Sequence, residues 1–498
     1  MSHLEAARRI WTVNGLPKQA LERLHLSPQP DPAVDSQFKL GTAAQTSIGL
    51  SALAAAQFHE LRTGEAQEVA VDARRAAIEF NSEKYYLVDG QPTNVVVFDE
   101  LADIYETRAG HIRLQTSFPH HKKGTLEILG LDSTANRTSV ATALKSWTAL
   151  DFEREAIRRG VCATALRSFD EMYKTLYPNK DKDISSIMPI SITKIGDAPK
   201  REVKDGEKFN HALEGVKVID MTRVLAGPIS GRTLAAHGAD VLWLTSPNLP
   251  ALHGLDIDTS RGKRTAQLDL NSSSSRSHLQ HLLSQADVFL QAYRPGSLAN
   301  RGFSSKEVAK LRPGIVCASL SAYPRDSAWK DVRGFDSLVQ TMGGFNVAEA
   351  EAYAEYMRAQ GLNTDDLPPY RQLPMQALDH AAGYFLAFGI AAALCKTITD
   401  GGSYEVHVSL TETMLWIKSL GTVDVVQAFA KGLALPLKAV LPHREIDQVY
   451  TTLPVLPDGE GKGEEHTLTA IRHSAVMGRT PVRDVWAPMR RDAHEATW

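Results

Sequence analysis

The sequence predicts an α/β protein with a larger unit built on a Rossmann-like, doubly wound parallel sheet and a smaller α+β unit. Between Glu214 and Leu320, short apolar runs alternate with segments of helical spacing. Runs such as Gly314–Leu320 are continuously apolar, which favours strands that are buried on both faces of a parallel sheet. Crossovers through the intervening helices then give the doubly wound arrangement.

The elements of both units follow from these patterns in chain order. In the larger unit they are strands 216–221, 240–244, 287–290 and 314–320 and helices 229–237, 277–284 and 306–311. Gly238 directly follows the first of these helices, as is typical of a helix C-terminus. In the smaller unit they are strands 94–98 and 111–115 and helices 125–129, 139–150 and 152–159.

The same patterns predict five parts of the chain. A polar stretch from Asp197 to Lys208 is typical of a linker, and the chain becomes rich in Pro, Gly and charge after Pro454. The predicted parts are a helical remnant (1–83), the small α+β domain (84–185), a linker (186–213), the large Rossmann-like domain (214–430) and a wrapping C-terminal tail (431–498).

The amino-acid composition limits which partners and which cellular compartment we expect for this protein. The chain has 498 residues, 43% of them hydrophobic, and a formal net charge of −3. This balance gives no electrostatic reason to expect a nucleic-acid or membrane-surface partner. Three widely spaced cysteines cannot form a disulfide framework, and the N-terminal residues lack the apolar core of a signal peptide, so we expect a cytoplasmic protein. The most apolar run, Ala381–Cys395, is short enough to be a buried core helix.

One internal repeat is visible. Leu40–Val71 and Leu378–Val408 each contain an Ala-rich helix, a Gly-containing turn and the pattern Glu-Val-x-Val. Chance convergence of Ala-rich helices is an alternative, but the matched order favours a duplicated remnant. Gly41 in the first copy stands where Asp379 stands in the second.

Asp379 is the first candidate for chemistry, because it directly precedes the apolar run. On the residue pattern alone a helix N-cap is favoured, since Asp often accepts hydrogen bonds from the free amides of a first turn. The same position would also hold an ionised carboxylate in one orientation, which suits a nucleophile.

Basic residues lie near the predicted strand ends of the larger unit. Arg223 and Arg294 are best placed, and Arg261, Lys263 and Arg333 follow the same pattern. Solvated surface charge is the ordinary interpretation, whereas a ligand with phosphate groups would use such a cluster at the carboxyl edge of a parallel sheet.

Several kinds of site lack a suitable motif in this sequence. No G-x-G-x-x-G follows the first strand and no Walker A sequence exists, so the sequence gives no sign of a dinucleotide or P-loop site. His120 and His121 are too close for ordinary metal ligation, and we expect them in a solvated loop and expect no metal site.

Seven stretches together resemble the family III CoA-transferases, the CaiB/BaiF group. They are Leu213–Pro228, Leu234–Val241, Gly262–Arg264, Arg294–Gly296, Arg301–Phe303, Gly334–Gln340 and Asp379–Tyr384. In that family the large domain comes first, whereas here a stretch resembling the small domain (Asp99–Glu171) precedes it. The chain therefore resembles a truncated first copy followed by a large domain and tail.

The resemblance implies an enzyme that moves CoA from an acyl-CoA thioester to a carboxylic acid. Asp379 falls on the family's nucleophile, which forms an aspartyl-acyl anhydride and then an aspartyl-CoA thioester. The implied CoA-contacting positions are Val224, Leu225, Ala226, Arg261, Lys263, Tyr293 and Arg333. CoA is then a substrate, with no permanently bound cofactor, and the implied assembly is a homodimer.

Two other functions stay open. α-Methylacyl-CoA racemases share the family and need a His–Asp pair, but the position of their His is Phe335 here, which cannot carry a proton. A catalytically silent member is the third alternative, and the presence of Asp379 in the second copy argues against it.

Overall fold

The computed structural model describes residues 2–93, 98–178, 187–204, 206–438, 442–454, 466–483 and 485–498. The helices are α1 His3–Val13, α2 Leu40–Thr63, α3 Ala73–Glu79, α4 Pro119–Leu129, α5 Arg137–Leu144, α6 Ala149–Arg158, α7 Phe169–Leu176, α8 Ala226–Ala236, α9 His253–Thr259, α10 Ser273–Leu283, α11 Ser305–Leu311, α12 Asp336–Met342, α13 Phe345–Ala359, α14 Ala377–Thr399, α15 Leu410–Ser419 and α16 Arg444–Asp447.

The strands form four sheets. They are β1 Leu24–Leu26, β2 Val69–Val71, β3 Leu87–Val88, β4 Gln91–Pro92, β5 Ile104–Glu106, β6 His111–Leu114, β7 Ala163–Ala165, β8 Ile190–Gly196, β9 Lys217–Met221, β10 Asp240–Thr245, β11 Arg264–Gln267, β12 Val288–Gln291, β13 Val316–Ser321, β14 Ser403–Ser409, β15 Tyr450–Leu453, β16 Leu468–Ile471 and β17 Ala475–Met477.

The largest sheet has seven strands in the order β11-β10-β9-β12-β13-β14-β8. Its first six strands are parallel, and only β8 runs antiparallel, beside β14. The prediction of an α/β protein with a parallel sheet is confirmed at this level. All four strands predicted between residues 214 and 320 are present, whereas β11 lies in a stretch that carried no strand prediction.

The stretch predicted as the small α+β unit contains an antiparallel sheet, β5-β6-β7, with α4, α5 and α6 packed beside it. The predicted helix 139–150 was wrong in its extent: α5 ends at Leu144, and α6 begins at Ala149. The break occurs because the Thr148 hydroxyl accepts the Asp151 amide and so caps a new helix. Residues 94–97 of the predicted strand 94–98 lie outside the described residues.

The tail pairs with distant parts of the chain. β17 runs antiparallel to β2, and β16 runs antiparallel to β3 and β15. At the C-terminus the Trp498 indole N–H donates to the Leu282 carbonyl, 3.0 Å away. These contacts agree with a tail that wraps around the rest of the chain, while the five predicted domain boundaries stay predictions.

Helix α14 is the centre of the core. It packs against α2, α8 and β14, and the side chains from Ala377 to Cys395 are all buried. Within the described residues it is the one helix long and apolar enough to cross a membrane, yet 89% of its most apolar window is buried in the protein. The core helix of a soluble protein passes the same test of length and composition.

A glycine sets how closely α14 approaches α8. A Cβ atom on Gly383 would lie 2.5 Å from the carbonyl oxygen of Ala226 and 2.8 Å from the Cβ atom of Ile229. Because the obstacle includes backbone at the start of α8, a side chain at this position forces the helices apart.

We therefore expect Gly383→Ala to lower the free energy of unfolding by about 1–3 kcal/mol, the usual cost of an overpacked core. Lys396→Ala near the other end of α14 is the control, and it is expected to change stability by less than about 0.5 kcal/mol. Chemical denaturation of both variants gives the comparison. Equal stability of the Gly383 variant and the wild type would contradict the close helix approach.

Candidate active site

A cleft of about 680 Å³ opens at the carboxyl edge of the parallel sheet. The loops after β9, β10, β12 and β13 line it on one side, and the first turn of α4 lines it on the other. Its lining includes Phe118, His120, His121, Cys162, Arg223, Val224, Leu225, Ala226, Tyr293, Arg294, Arg301, Arg333, Phe335 and Asp379. Residues from both predicted units therefore meet in one cleft, which sequence separation alone does not reveal.

Asp379 lies in the first turn of α14, lines the cleft and is 8% exposed. The prediction that it is the N-cap is wrong: the N-cap is Gln376, whose side chain caps nothing. The capping acceptor is Asp336, which receives the Asp379 amide at 2.8 Å and also the Leu378 amide. The Asp379 carboxylate is therefore not committed to capping its own helix.

Two buried carboxyl groups thus share the end of one helix. Burial, together with the negative charges of Asp336 and Glu83, raises the pKa of Asp379 well above its usual value. Burial also raises the pKa of Asp336 to about 7, although the amides of Asp379 and Leu378 and the Gln340 side chain oppose the shift. Two like charges this close disfavour the doubly ionised state.

Arginines supply the opposite charge in the cleft. Arg223, Arg294 and Arg333 all line it, and within the described ranges none of them forms an ion pair with a carboxylate. The Arg223 guanidinium lies 5.4 Å from the centre of the Phe118 ring, and burial, with Arg294 nearby, lowers the pKa of Arg333. The three side chains form a positively charged surface to which an anionic ligand can bind.

Backbone geometry shapes the loop after β9. Val224 has φ +76°, a conformation that β-branched residues rarely adopt, and Leu225 and Ala226 begin α8. Such strain persists only where surrounding structure holds it, and it concentrates at functional sites. Tyr293 from the loop after β12 lines the same cleft.

Two predicted CoA contacts need correction. Lys263 is fully buried, and its Nζ donates to Asp220 at 2.8 Å and to the Pro228 carbonyl at 2.9 Å. Arg261 is buried as well and donates to the carbonyl oxygens of Asp258 and Ile471. Neither residue lines the cleft. Each instead neutralises a buried carboxylate, because an unpaired charge in the core is costly.

His120 and His121 were not predicted to belong to the site. We predicted a solvated loop, but both lie in the first turn of α4 and line the cleft, and His121 is 4% exposed. Its Nε2 atom lies 3.4 Å from the Cys162 sulfur, and its ring packs edge-on against Phe335 with centroids 6.3 Å apart. Burial lowers the pKa of His121 to about 3, so the ring is neutral at physiological pH.

The comparisons with known proteins find a family likeness in the larger unit. Residues 213–432 match the model of CoA-transferase family III. This stretch of the chain is similar to that family. The match contains the sheet strands β9 to β14 and the whole of α14 with Asp379, and it leaves out the small unit that closes the cleft.

Curated relatives agree. An acetyl-coenzyme A transferase of Hypoxylon pulicicidum is 31% identical over 217 residues, 43% of this chain and 35% of that relative. An acetyl-CoA:oxalate CoA-transferase of Acetobacter aceti is 29% identical over 218 residues, 41% of this chain and 52% of that relative. The chain therefore spans between a third and about half of these two relatives.

A solved structure of a CaiB/BaiF family protein from Brucella suis is 23% identical and covers 50% of this chain and 64% of that one, with a TM-score of 0.37. At this score the structural likeness adds no argument, and the family likeness rests on the sequence match. Within the described residues no group of three or more His, Cys, Asp or Glu side chains is placed to hold a metal ion.

The raised pKa values give a stability prediction. Between pH 3.8 and about 7 the folded protein holds a proton on Asp336 that the unfolded chain has released, so stability falls as pH rises through this window. The raised pKa of Asp379 acts in the same direction. We expect Asp336→Asn to remove part of this fall. The difference in melting temperature between variant and wild type should therefore increase in favour of the variant from pH 4.5 to pH 7.

A pH-independent difference would contradict the shared burial of the two carboxyl groups. The Asp336→Asn substitution also weakens the cap of α14, which lowers the melting temperature by a constant amount at every pH. The test compares only how the difference in melting temperature changes with pH, so this constant loss does not affect it. Glu349, a distant buried acid whose pKa burial raises to about 7, remains in both proteins and cancels in the comparison.

Proposed function

We propose that the protein is a CoA-transferase that moves CoA from an acyl-CoA thioester to a carboxylic acid, with Asp379 as the nucleophile. One observation carries this proposal: Asp379 lies in the stretch that matches CoA-transferase family III and lines a cleft with four arginines, none of which has a carboxylate partner among the described residues. CoA is an anionic substrate, and its reactive thioester has to reach a carboxylate.

The proposed reaction proceeds through covalent intermediates on one carboxylate. An Asp379 oxygen attacks the thioester carbonyl, so an aspartyl-acyl anhydride forms and CoA leaves as a thiolate. The thiolate attacks the aspartyl carbonyl, which gives an aspartyl-CoA thioester and releases the donor acid. The acceptor carboxylate then attacks that thioester, and the returning thiolate takes the new acyl group and leaves Asp379 free.

Each neighbouring group has a proposed part in this sequence. Asp336 holds the first turn of α14 through the amides of Leu378 and Asp379, which fixes the position of the nucleophile. Arg223, Arg294 and Arg333 would bind the phosphates of CoA, and the loop Val224–Ala226 with Tyr293 would line the path of its chain. In this proposal CoA is a substrate and no cofactor is permanently bound.

Further features are proposed on the resemblance. They are a Rossmann-like doubly wound arrangement of the large unit, a cytoplasmic location and a homodimer, without a nucleic-acid or membrane partner. Within one chain, however, Phe118 and His121 of the small unit already close the cleft that holds Asp379. A second copy is therefore not needed to supply this wall.

The racemase alternative gains support from one contact. Phe335 occupies the position of the racemase His, but His121 packs against Phe335 in the same cleft and its Nδ1 atom has no hydrogen-bond partner among the described residues. A neutral imidazole can accept a proton, so His121 is a proton-transfer group in the cleft, although a pKa of about 3 makes it a weak base.

Asp379→Asn and Asp379→Ala should abolish acyl exchange, because an amide or a methyl group is not a nucleophile. CoA affinity should survive, since the arginines are unchanged. Asp400→Asn at the opposite end of α14 is the control and should keep full turnover. Exchange measured with a panel of acyl-CoA donors and carboxylic acids checks this, and substantial turnover by either Asp379 variant would overturn the covalent mechanism.

Replacing Arg294 or Arg333 by Gln should raise the Kd of CoA by about 10–100-fold, because a charge-assisted hydrogen bond contributes about 1.5–3 kcal/mol. Arg358→Gln, an exposed arginine of α13, is the matched control. Isothermal titration with CoA measures all three. Unchanged affinity in both cleft variants would mean that CoA binds elsewhere.

Transferase and racemase differ at the α carbon of the substrate. A 2-methylacyl-CoA incubated in deuterated water should take up deuterium slowly, and its CoA should move rapidly to an added acceptor acid. Rapid deuteration that requires His121, and is therefore lost in His121→Phe, would establish the racemase instead. Neither activity across a broad substrate panel would favour a silent family member.

A further inference from the structure

A second cavity, of about 210 Å³, lies at the other end of α8 from the cleft. Strand β17, with Arg472 and His473 before it and Pro481, Val482, Arg483 and Val485 after it, forms one side, and Arg232, Thr233 and Ala236 of α8 form another. None of its lining residues lines the cleft. Since a water molecule takes up about 30 Å³ of liquid, the cavity has room for roughly seven waters or one small ligand.

The lining of this cavity is strongly basic. Arg232, Arg261, Arg472 and Arg483 contribute to it, against a single carboxylate, Glu79. Arg232 and Arg261 both form ion pairs with the buried Asp258, whose single charge balances one of them, and the ionised Glu79 balances the other. Arg472 and Arg483 form no ion pair with any carboxylate among the described residues, so the excess positive charge belongs to these two side chains.

Glu79 does not neutralise them. Burial opposes its ionisation, but His473 and Arg232 hold the pKa of Glu79 well below its usual range. The carboxylate accepts from the Tyr384 hydroxyl, from the Ser474 amide at 2.7 Å and from the Nδ1 side of His473 at 2.8 Å. Its oxygens are therefore engaged away from the two arginines.

Several polar atoms around this cavity are buried and have no hydrogen-bond partner among the described residues. Arg483 leaves Nε and one Nη atom without hydrogen bonds, and its guanidinium lies 4.9 Å from the centre of the Trp486 ring. His473 has a side chain only 7% exposed, and its Nε2 atom also lacks a partner. Buried N–H groups that are left unbonded are costly, so those of Arg483 indicate a missing acceptor. His473, whose Nδ1 donates to Glu79, can donate from Nε2 as well only as an imidazolium.

We propose that this cavity binds a small oxyanion, a phosphate group or a carboxylate, held by Arg483, Arg472 and His473. Planar guanidinium groups are the preferred donors to both kinds of oxyanion. The volume suits an ion of this size and is too small for a nucleotide-bearing molecule such as CoA. This site is independent of the proposed acyl transfer, since it shares no residue with the cleft.

Isothermal titration of the full chain at constant ionic strength tests the proposal, with inorganic phosphate in one arm and succinate in the other. We expect at least one of the two ions to bind at one site per chain that Arg294→Gln leaves intact. Arg483→Gln and Arg472→Gln should each weaken binding by about tenfold or more. Arg490→Gln, an exposed arginine paired with Asp492, should bind like the wild type.

A further variant separates the cavity from the cleft. Arg294→Gln should leave oxyanion binding unchanged, and loss of binding in this variant but not in Arg483→Gln would place the ion in the cleft and overturn the proposal. Absence of binding of both ions to the wild type at millimolar concentrations would overturn it as well. If Arg483→Gln does not fold, as judged by its melting curve, His473→Gln replaces it and should weaken binding severalfold.

Discussion

The structure depends on how the buried helix α14 begins. Its first amides need hydrogen-bond acceptors, its own N-cap residue Gln376 supplies none, and Asp336 of α12 accepts in its place. This contact stabilises the helix and at the same time buries one carboxylate beside another, since Asp379 lies in that first turn. Burial and like charge then raise the pKa of Asp379, so the group that orders the candidate nucleophile also opposes its ionisation. The cleft is built around this point, because Gly383 lets α8 approach α14 closely enough to bring Val224–Ala226 to the same place.

In the first copy of the repeat, Leu40–Val71, the helix begins in the same way, but no carboxylate stands at the position of Asp379. Asp31 accepts the amides of Gly41 and Thr42 at the beginning of α2, as Asp336 does for α14. Gly41 takes the place of Asp379, and a Cβ atom there would lie 2.0 Å from the carbonyl oxygen of Pro30. Backbone therefore fills the space that a carboxylate would need. The first copy has kept the helix that packs against α14 and lost the cleft, which is consistent with a duplicated remnant that contributes packing alone.

The parts of the fold and site that depend on local sequence were predictable. Continuous apolar runs gave β9, β10, β12 and β13, whereas β11, with the sequence Arg-Thr-Ala-Gln at a sheet edge, carries no such run. Asp379 was a candidate from its position before the apolar run, and the resemblance implied its role as nucleophile, but its capping partner lies 43 residues away and leaves no local signal. The same limit explains why the role of the basic residues was predicted wrongly. Lysine is a residue type that binds phosphate, and only the tertiary contact with Asp220 shows that Lys263 neutralises a buried carboxylate. His121 was assigned to solvent because its contact with Cys162 joins separate elements.

The distribution of charge and apolar surface in the cleft favours covalent transfer over proton exchange. Arg223, Arg294 and Arg333 lie without carboxylate partners among the described residues, while the acids Asp336 and Asp379 are almost completely buried. When the phosphates of an anionic substrate bind the arginines, the part of the substrate that approaches the acids is its uncharged thioester. The Phe118 and Phe335 rings, 6.0 Å apart, add an apolar wall on the side of His121. An anhydride on Asp379 would be destroyed by water, so an enzyme that forms one needs a site in which the carboxylate is only 8% exposed. A racemase that only moves a proton has no such need, and for this reason the dry, partly apolar surroundings of Asp379 support the transferase more strongly than Phe335 does alone.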